Sequence, residues 1–159
     1  MNRSDPLSNP PLSAQDFYAL ETLGVPQISP DDRRVAFVRR SANRYADAYR
    51  SAIWIAPVDQ GEPQIFSAGT HRDRAPRWSP DGQYLAFLSD RDGNGTELYI
   101  VPTDGGEARQ LTRMEREVAS PAWSPDGKWL AFVCWADAKE REWEDSDQAP
   151  PDDPEERER

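Results

Sequence analysis

Histidine and cysteine, two residue types that often carry hydrolytic or redox chemistry, occur once each in this sequence. The only histidine is His71, and no G-x-S-x-G pattern occurs that would present a nucleophilic serine on a strand-to-helix turn. A serine triad also needs a histidine base oriented by a carboxylate, and none can be assigned beside His71. Cys134 is the only cysteine, and no adjacent basic residue favours its thiolate. We therefore expect no catalytic residue, and interpret His71 as an exposed loop residue and Cys134 as a packed one.

One short motif could bind a metal ion. Asp90, Asp92 and Asn94, followed by Gly95, match the first half of a calcium loop, D-x-D-x-N-G. The twelfth position of such a loop needs a bidentate glutamate, but Val101 stands there. Half of the ligand set is therefore missing, and the alternative is a polar connection between two strands. We expect no metal and no cofactor, and keep the three residues as a weak calcium candidate.

The charge of the chain is concentrated at one end. Of 159 residues 30% are charged and the net charge is −10, but residues 137–159 alone carry 11 acidic and 4 basic residues. A charged, proline-bearing segment of this kind predicts a disordered acidic tail. The charge argues against nucleic-acid and anionic-membrane partners. Without a secretory signal or a long apolar stretch, we expect a cytoplasmic protein.

An internal repeat organises the rest of the chain. PQISPDDRRVAFV begins at Pro26, PRWSPDGQYLAFL at Pro76 and PAWSPDGKWLAFV at Pro121. A second motif follows the first two copies: IWIAPVDQGEPQIF from Ile53 and LYIVPTDGGEARQL from Leu98. The first copy is five residues longer, and we place this insertion in a loop within SANRYADAYRSA.

Each repeat predicts four short antiparallel strands. Ser-Pro-Asp-Gly is a tight-turn sequence, and the runs after it alternate large residues with an alanine, as in Leu85, Ala86 and Phe87. Pro57 and Pro102 end the third strands, and Asp104-Gly105-Gly106 favours a hairpin into the fourth. A repeat of about 45 residues with this content is typical of a propeller blade, whereas a β-sandwich would not repeat one sequence.

The predicted fold class is all-β, a partial β-propeller of about two and a half blades. We divide the chain into a disordered N-terminus, a capped helix with its lead-in, the blades and the acidic tail. The boundaries are 1–11, 12–24, 25–136 (with blades 25–68, 75–113 and the partial 120–136) and 137–159. Ser13 and Asp16 predict the cap of a helix over Gln15–Glu21. Four tryptophans are interpreted as blade packing: Trp54, Trp78, Trp123 and Trp129.

The motifs SPDGxxLAF and LYIVPxDGGExxxLT resemble the propeller repeat of the prolyl oligopeptidase family of serine peptidases. The acylaminoacyl-peptidase-like and dipeptidyl-peptidase-like branch is the nearer one, and TolB-like propellers come second. The resemblance covers about Leu12 to Trp135, including the helix that leads into the first blade. It implies a propeller that limits access to a C-terminal α/β-hydrolase domain. The family's catalytic residues lie in that domain, and no position here corresponds to them.

Two functions follow as hypotheses. In the first, the chain is the non-catalytic N-terminal propeller fragment of such a peptidase, from a truncated or partial gene. Its partners are then the remaining blades and the hydrolase domain. In the second, the chain is a small TolB-like interaction protein that self-associates through its open blade edges.

Overall fold

A computed structural model describes residues 13–43 and 48–135. These residues form one short helix and ten strands, joined by tight turns and short loops. The elements are α1 Ala14–Tyr18, β1 Glu21–Ile28, β2 Arg34–Asn43, β3 Ala48–Pro57, β4 Gln64–Ile65, β5 Arg74–Trp78, β6 Tyr84–Ser89, β7 Glu97–Pro102, β8 Arg109–Gln110, β9 Ala119–Trp123 and β10 Leu130–Val133.

The strands form three sheets in chain order. β1 to β4 and β5 to β8 each make a four-stranded antiparallel sheet in which neighbours in the chain are neighbours in space, and β9 pairs with β10. Consecutive antiparallel strands arise because a turn of a few residues joins each pair. The predicted all-β partial propeller is confirmed, with two complete blades and two described strands of a third.

The blades pack face to face. We call the face of a blade that is turned toward the next blade in the chain its front face, and the opposite one its rear face. Between the first two blades, Ala36 and Ile53 meet Trp78, Leu85 and Phe87 in one buried cluster. Between the second and third, Ala86 and its neighbours on the same face form another cluster with Val118. Alanines on the front faces let the sheets approach closely, as the alternating pattern predicts.

The prediction that the extra residues of the first blade form a loop is wrong. The five additional residues do not form a simple loop, because β2 and β3 are ten residues each and stay paired as far as Asn43 and Ala48. The insertion therefore extends a hairpin beyond the length of its counterpart in the second blade, where β6 and β7 have six residues each.

The predicted helix is too long at its C-terminal end. α1 ends at Tyr18, and Glu21 already pairs with Ser41 in the sheet. The long β2 offers backbone partners to this segment, and Arg39 forms an ion pair with Glu21 at 2.6 Å, so sheet pairing replaces the last helical turn. At the other end, the Asp16 carboxylate accepts hydrogen bonds from the Ser13 backbone N–H and hydroxyl, as expected of the cap.

The predictions of disorder for residues 1–11 and 137–159 fall outside the described residues. Trp129 lies one residue before β10 and is 75% exposed, so the interpretation of it as blade packing is wrong for the described part of the chain. Within the described residues, no helix is long and apolar enough to cross a membrane.

Candidate functional site

The Ser-Pro-Asp turns share one hydrogen-bond network. In the second blade the Ser79 hydroxyl donates to Asp81 at 2.5 Å and accepts from the Tyr84 N–H at 2.9 Å, while the Gln83 N–H donates to Asp81 at 3.0 Å. The corresponding bonds recur in the first and third turns. The Ser79 hydroxyl, followed by the Gln83 N–H, holds the pKa of Asp81 below its ordinary value. These bonds fix the turn that begins each second strand.

A tryptophan joins each of two blades to the blade before it. The Trp78 Nε1–H donates to the backbone carbonyl of Gln27 at 3.0 Å. One repeat later, the Trp123 Nε1–H donates to the carbonyl of Arg77 at 3.1 Å. The Arg34 guanidinium lies 4.8 Å from the centre of the Trp78 ring, a cation–π arrangement that covers the indole. A buried indole N–H needs an acceptor, and the preceding blade supplies it.

The turns of neighbouring blades also lie close together. A Cβ placed on Gly82 would lie 3.7 Å from Pro30 of the preceding turn, and one on Gly127 would lie 3.5 Å from Pro80. Both glycines adopt positive φ, 72° and 70°, and Asp32 occupies the corresponding position of the first turn with φ 58°. The first turn therefore carries a charged side chain at the position where the later turns meet the preceding blade.

The front face of the third blade is open within the described residues. Val133 is 58% exposed, whereas Val38 and Leu88 at the same repeat position are buried. Ala131 is also exposed, although its counterparts Ala36 and Ala86 are fully buried. This surface is apolar and has the composition of a blade interface.

A second candidate site is a charged cluster between the loop that precedes β5 and the β6–β7 connection. The Asp73 side chain is only 1% exposed and pairs with Arg91 at 3.2 Å. The Arg91 guanidinium also lies 4.9 Å from the Phe87 ring centre and 4.7 Å from that of Tyr99. Burial, and then the nearby Asp92 carboxylate, raises the pKa of Tyr99 to about 12. Among the described residues the buried Tyr99 hydroxyl makes no well-formed hydrogen bond, although the Asp92 carboxylate lies near it.

The weak calcium candidate lies in the same connection. The Asp90 carboxylate accepts the Arg72 backbone N–H at 2.8 Å, so the protein already occupies one of its oxygens. Asp92 and Asn94 are exposed. Across the described residues, no group of three or more His, Cys, Asp or Glu side chains is placed to hold a metal ion. The calcium motif stays a sequence prediction.

The two residues weighed for catalysis lie far from each other in the chain and have different surroundings. His71 is half-buried, so the interpretation of it as an exposed residue is wrong. Its carbonyl accepts the Ser51 N–H at 3.2 Å, which ties the interblade loop to β3. Cys134 is half-buried, with its sulfur 3.6 Å from the Arg116 carbonyl oxygen. Neither contact activates a nucleophile.

Sequence reasoning missed a backbone feature shared by all three repeats. Val25, Ala75 and Ser120 have φ near 50°, a left-handed conformation that is rare for residues other than glycine. Each directly precedes the proline that begins the repeat motif, and pairing shifts register there in β1 and β5. The repeated residue-proline step was visible in the sequence, but proline predicts extended geometry before it, not positive φ.

A buried carboxylate was also missed. Glu97, at the start of β7, accepts hydrogen bonds from the Thr112 hydroxyl at 2.5 Å and the Met114 N–H at 2.8 Å. Thr112 in turn accepts the Leu98 N–H at 2.9 Å. These bonds close the outer edge of the second blade and belong to its structure.

The fold and its repeated interblade bonds define a blade-repeat protein of propeller type. A family model described as the TolB beta propeller domain matches residues 19–140. The chain therefore belongs to the TolB β-propeller family.

Known peptidases share this architecture. The chain is 44% identical over 87 residues to the "Uncharacterized peptidase YuxL" of Bacillus subtilis (strain 168), a match that covers 55% of the chain and 13% of YuxL. It superposes on the acylaminoacyl peptidase of Pyrococcus horikoshii with a TM-score of 0.65 at 22% identity, covering 87% of this chain and 20% of that one. For the propeller domain of the trilobed protease of Pyrococcus furiosus the TM-score is 0.60 at 21% identity, covering 74% of this chain and 35% of that one. The predicted resemblance is confirmed, and the chain spans a small part of each relative.

Proposed function

We propose that this chain is part of the propeller of a cytoplasmic serine peptidase of the prolyl oligopeptidase type. In that role it gates peptide access to a separate α/β-hydrolase domain and cuts no bond itself. The observation that carries the proposal is the 44% identity to a peptidase over 87 residues. The open front face of the third blade supports it, because such a surface suits continuation into further blades.

In this role the propeller selects substrates by their size. Blades held together by tryptophan hydrogen bonds and buried clusters form the wall of the propeller. In the proposed role, access through the propeller admits short peptides and excludes folded proteins. The substrate then depends on the hydrolase domain for cleavage and on the propeller for size selection.

A chimera tests this function. In YuxL, the matching stretch is replaced by the stretch of this chain, and hydrolysis of acyl-peptide and dipeptidyl reporters is measured beside unmodified YuxL. We expect the folded chimera to keep the activity of YuxL and its preference for short over protein-sized substrates. A folded chimera that is inactive, or that has lost size discrimination, would contradict the proposal.

The chain alone provides the second arm. We expect no turnover of the same reporters and no labelling by a fluorophosphonate probe, since the sequence has no G-x-S-x-G serine. Labelling of the purified chain would overturn the non-catalytic role.

A second candidate function is a TolB-like interaction protein that self-associates. The family match over residues 19–140 favours it, because that family is described by TolB propellers and not by peptidases. Light scattering on the purified chain discriminates the two, since a defined oligomer supports self-association.

A further inference from the structure

Each of the two described blade interfaces has a cleft at the end where the Ser-Pro-Asp turns lie. The first cleft, between the first and second blades, has a volume of about 390 Å³, and its lining includes Arg34 and Glu62. The second cleft, between the second and third blades, has a volume of about 480 Å³. Its lining includes Tyr84 and Glu107, which stand at the repeat positions of Arg34 and Glu62. The two clefts are therefore equivalent places in the repeat, and their side chains can be compared position by position.

In the first cleft the chain supplies its own cation. The Arg34 guanidinium lies 4.8 Å from the centre of the Trp78 ring, and Trp78 is only 7% exposed. Two carboxylates accompany this cation. Glu62 lines the same cleft, and the Ser29 hydroxyl most, and the Arg34 charge to a smaller extent, lower the pKa of Asp31. An indole face with carboxylates beside it thus receives an arginine side chain.

The second cleft keeps the indole and the carboxylates but lacks that cation. Trp123 lines it and is half-buried, whereas its counterpart in the first cleft is buried. Asp81 and Glu107 line it too, at the repeat positions of the two carboxylates beside Arg34. Tyr84 stands in place of the arginine, and among the described residues no guanidinium or ammonium group lies over the Trp123 ring.

One cation does line the second cleft, away from the indole. Arg109, which stands where the first cleft has Gln64, is exposed. Within the part of the chain that the structure describes, it forms no ion pair with Asp81 or Glu107. Two carboxylates against one guanidinium leave one negative charge in excess in the lining. The charge and the uncovered indole therefore both favour a further cation.

We propose that the second cleft binds an arginine side chain of a peptide, in the place that Arg34 fills in the first cleft. The guanidinium stacks on the Trp123 indole and pairs with the Asp81 and Glu107 carboxylates. The planar guanidinium suits an aromatic face better than the compact ammonium of lysine does. The proposal goes beyond the gating role and concerns binding by the chain itself. Failure of peptidase activity and failure of arginine binding are therefore separate results.

A titration with N-acetyl-arginine methylamide, whose guanidinium is its only charge, tests the proposal. Nitrogen–proton NMR spectra of the full chain report on each indole N–H, and Trp→Phe variants assign the resonances. We expect a saturable shift of the Trp123 resonance with a Kd on the order of 1 mM, while the Trp78 resonance stays unchanged because Arg34 covers that ring. The citrulline analogue has the same shape without the charge and should bind at least about fivefold more weakly.

Exchanges between the two clefts give matched variants. Tyr84→Arg places the chain's own guanidinium in the second cleft and should abolish the Trp123 shift, whereas Tyr84→Phe keeps a ring and should bind the arginine probe as the natural chain does. Arg34→Tyr opens the first cleft and should make the Trp78 resonance respond. Arg109→Gln removes the competing cation and should tighten binding by about two- to fivefold. Tyr84 is 41% exposed, so substitutions there leave the core intact, and circular dichroism checks each fold.

Three outcomes would overturn the proposal. The first is a Trp123 resonance that does not move at arginine-probe concentrations up to about 10 mM, and the second is equal binding of the citrulline analogue. The third is a folded Tyr84→Arg variant that binds the arginine probe as the natural chain does. If Tyr84→Arg does not fold, Arg34→Tyr decides in its place, because a first cleft without its own arginine must then bind the arginine probe.

Discussion

The indole N–H of Trp78 donates a hydrogen bond to the backbone carbonyl of Gln27, 3.0 Å away and 51 residues earlier in the chain. The bond crosses from the second blade to the first, and Trp123 repeats it toward Arg77. Each blade is thus joined to the preceding one by a specific hydrogen bond as well as by apolar contacts.

Trp78→Phe tests this bond. The variant keeps an aromatic ring but leaves the Gln27 carbonyl without its donor, so we expect a loss of about 1–3 kcal/mol in the free energy of unfolding. Urea unfolding followed by circular dichroism measures it. Trp129→Phe is the matched control, because that side chain is 75% exposed, and it should change stability by less than about 0.5 kcal/mol. Equal effects of the two variants would contradict the role of the bond.

The Ser-Pro-Asp turns predict an acid-sensitive stability. Hydrogen bonds from Ser79 and Gln83 hold the pKa of Asp81 below its unfolded value, so its contribution is present above the unfolded pKa. That contribution is lost as pH falls through the lower folded pKa, and Asp31 and Asp126 act in the same direction. We therefore expect stability to fall as the pH drops below about 4.

Asp81→Asn should weaken this dependence, because the amide oxygen keeps the acceptor but does not titrate. Urea unfolding at a series of pH values measures the slope, and Asp104→Asn in the β7–β8 turn, outside the motif, is the control. A slope that is the same for both variants would refute the assignment.

The buried ion pair predicts a strong non-additivity. Arg91→Met leaves the Asp73 carboxylate buried and unpaired, so we expect a loss of about 3 kcal/mol in the free energy of unfolding. Replacing both residues, with Asp73→Leu and Arg91→Met together, should recover most of that loss, since no buried charge remains. A double-mutant cycle by chemical denaturation measures the coupling, and simple addition of the single effects would contradict the prediction.

The left-handed backbone of Val25, the residue before Pro26, predicts that glycine is more stable than alanine at this strand position. Val25 has φ 52° and is substantially exposed, so its side chain adds strain and little burial. Val25→Gly should be about 1 kcal/mol more stable than Val25→Ala, although glycine is normally the worse strand residue. Thermal or urea unfolding shows which of the two variants is more stable. Greater stability of Val25→Ala would contradict backbone strain at this position.

Features of the fold that depend on neighbouring residues could be predicted from the sequence, whereas features that depend on residues far apart in the chain could not. The turn at Ser79 and Asp81 and the end of β7 at Pro102 followed from local sequence, because proline and aspartate restrict the backbone in place. The end of α1 did not, because Glu21 is taken up by pairing with a strand twenty residues later. The extra residues of the first blade were predicted as a loop, because the ends of two paired strands and a loop can have the same composition. Their pairing depends on β2 and β3 meeting, which the local sequence does not show.

The candidate site divides in the same way. The lack of a serine elbow, the half-formed calcium motif and the packing of Trp78 and Trp123 could be predicted from the sequence, whereas the exposure of Trp129 could not. The pair of Asp73 with Arg91 was not, because the two residues belong to different connections and meet only when β5 and β6 are in register.

The sequence by itself determined the repeat, the four strands of each of the two complete blades and the membership of the chain among propellers, because these depend on spacing and on local turn chemistry. Only the tertiary structure decided which carbonyl receives each tryptophan, which carboxylates are buried and which blade face is left open. Those properties depend on contacts between residues 15 to 51 positions apart, which form only when strands pair within a blade or one blade packs on another.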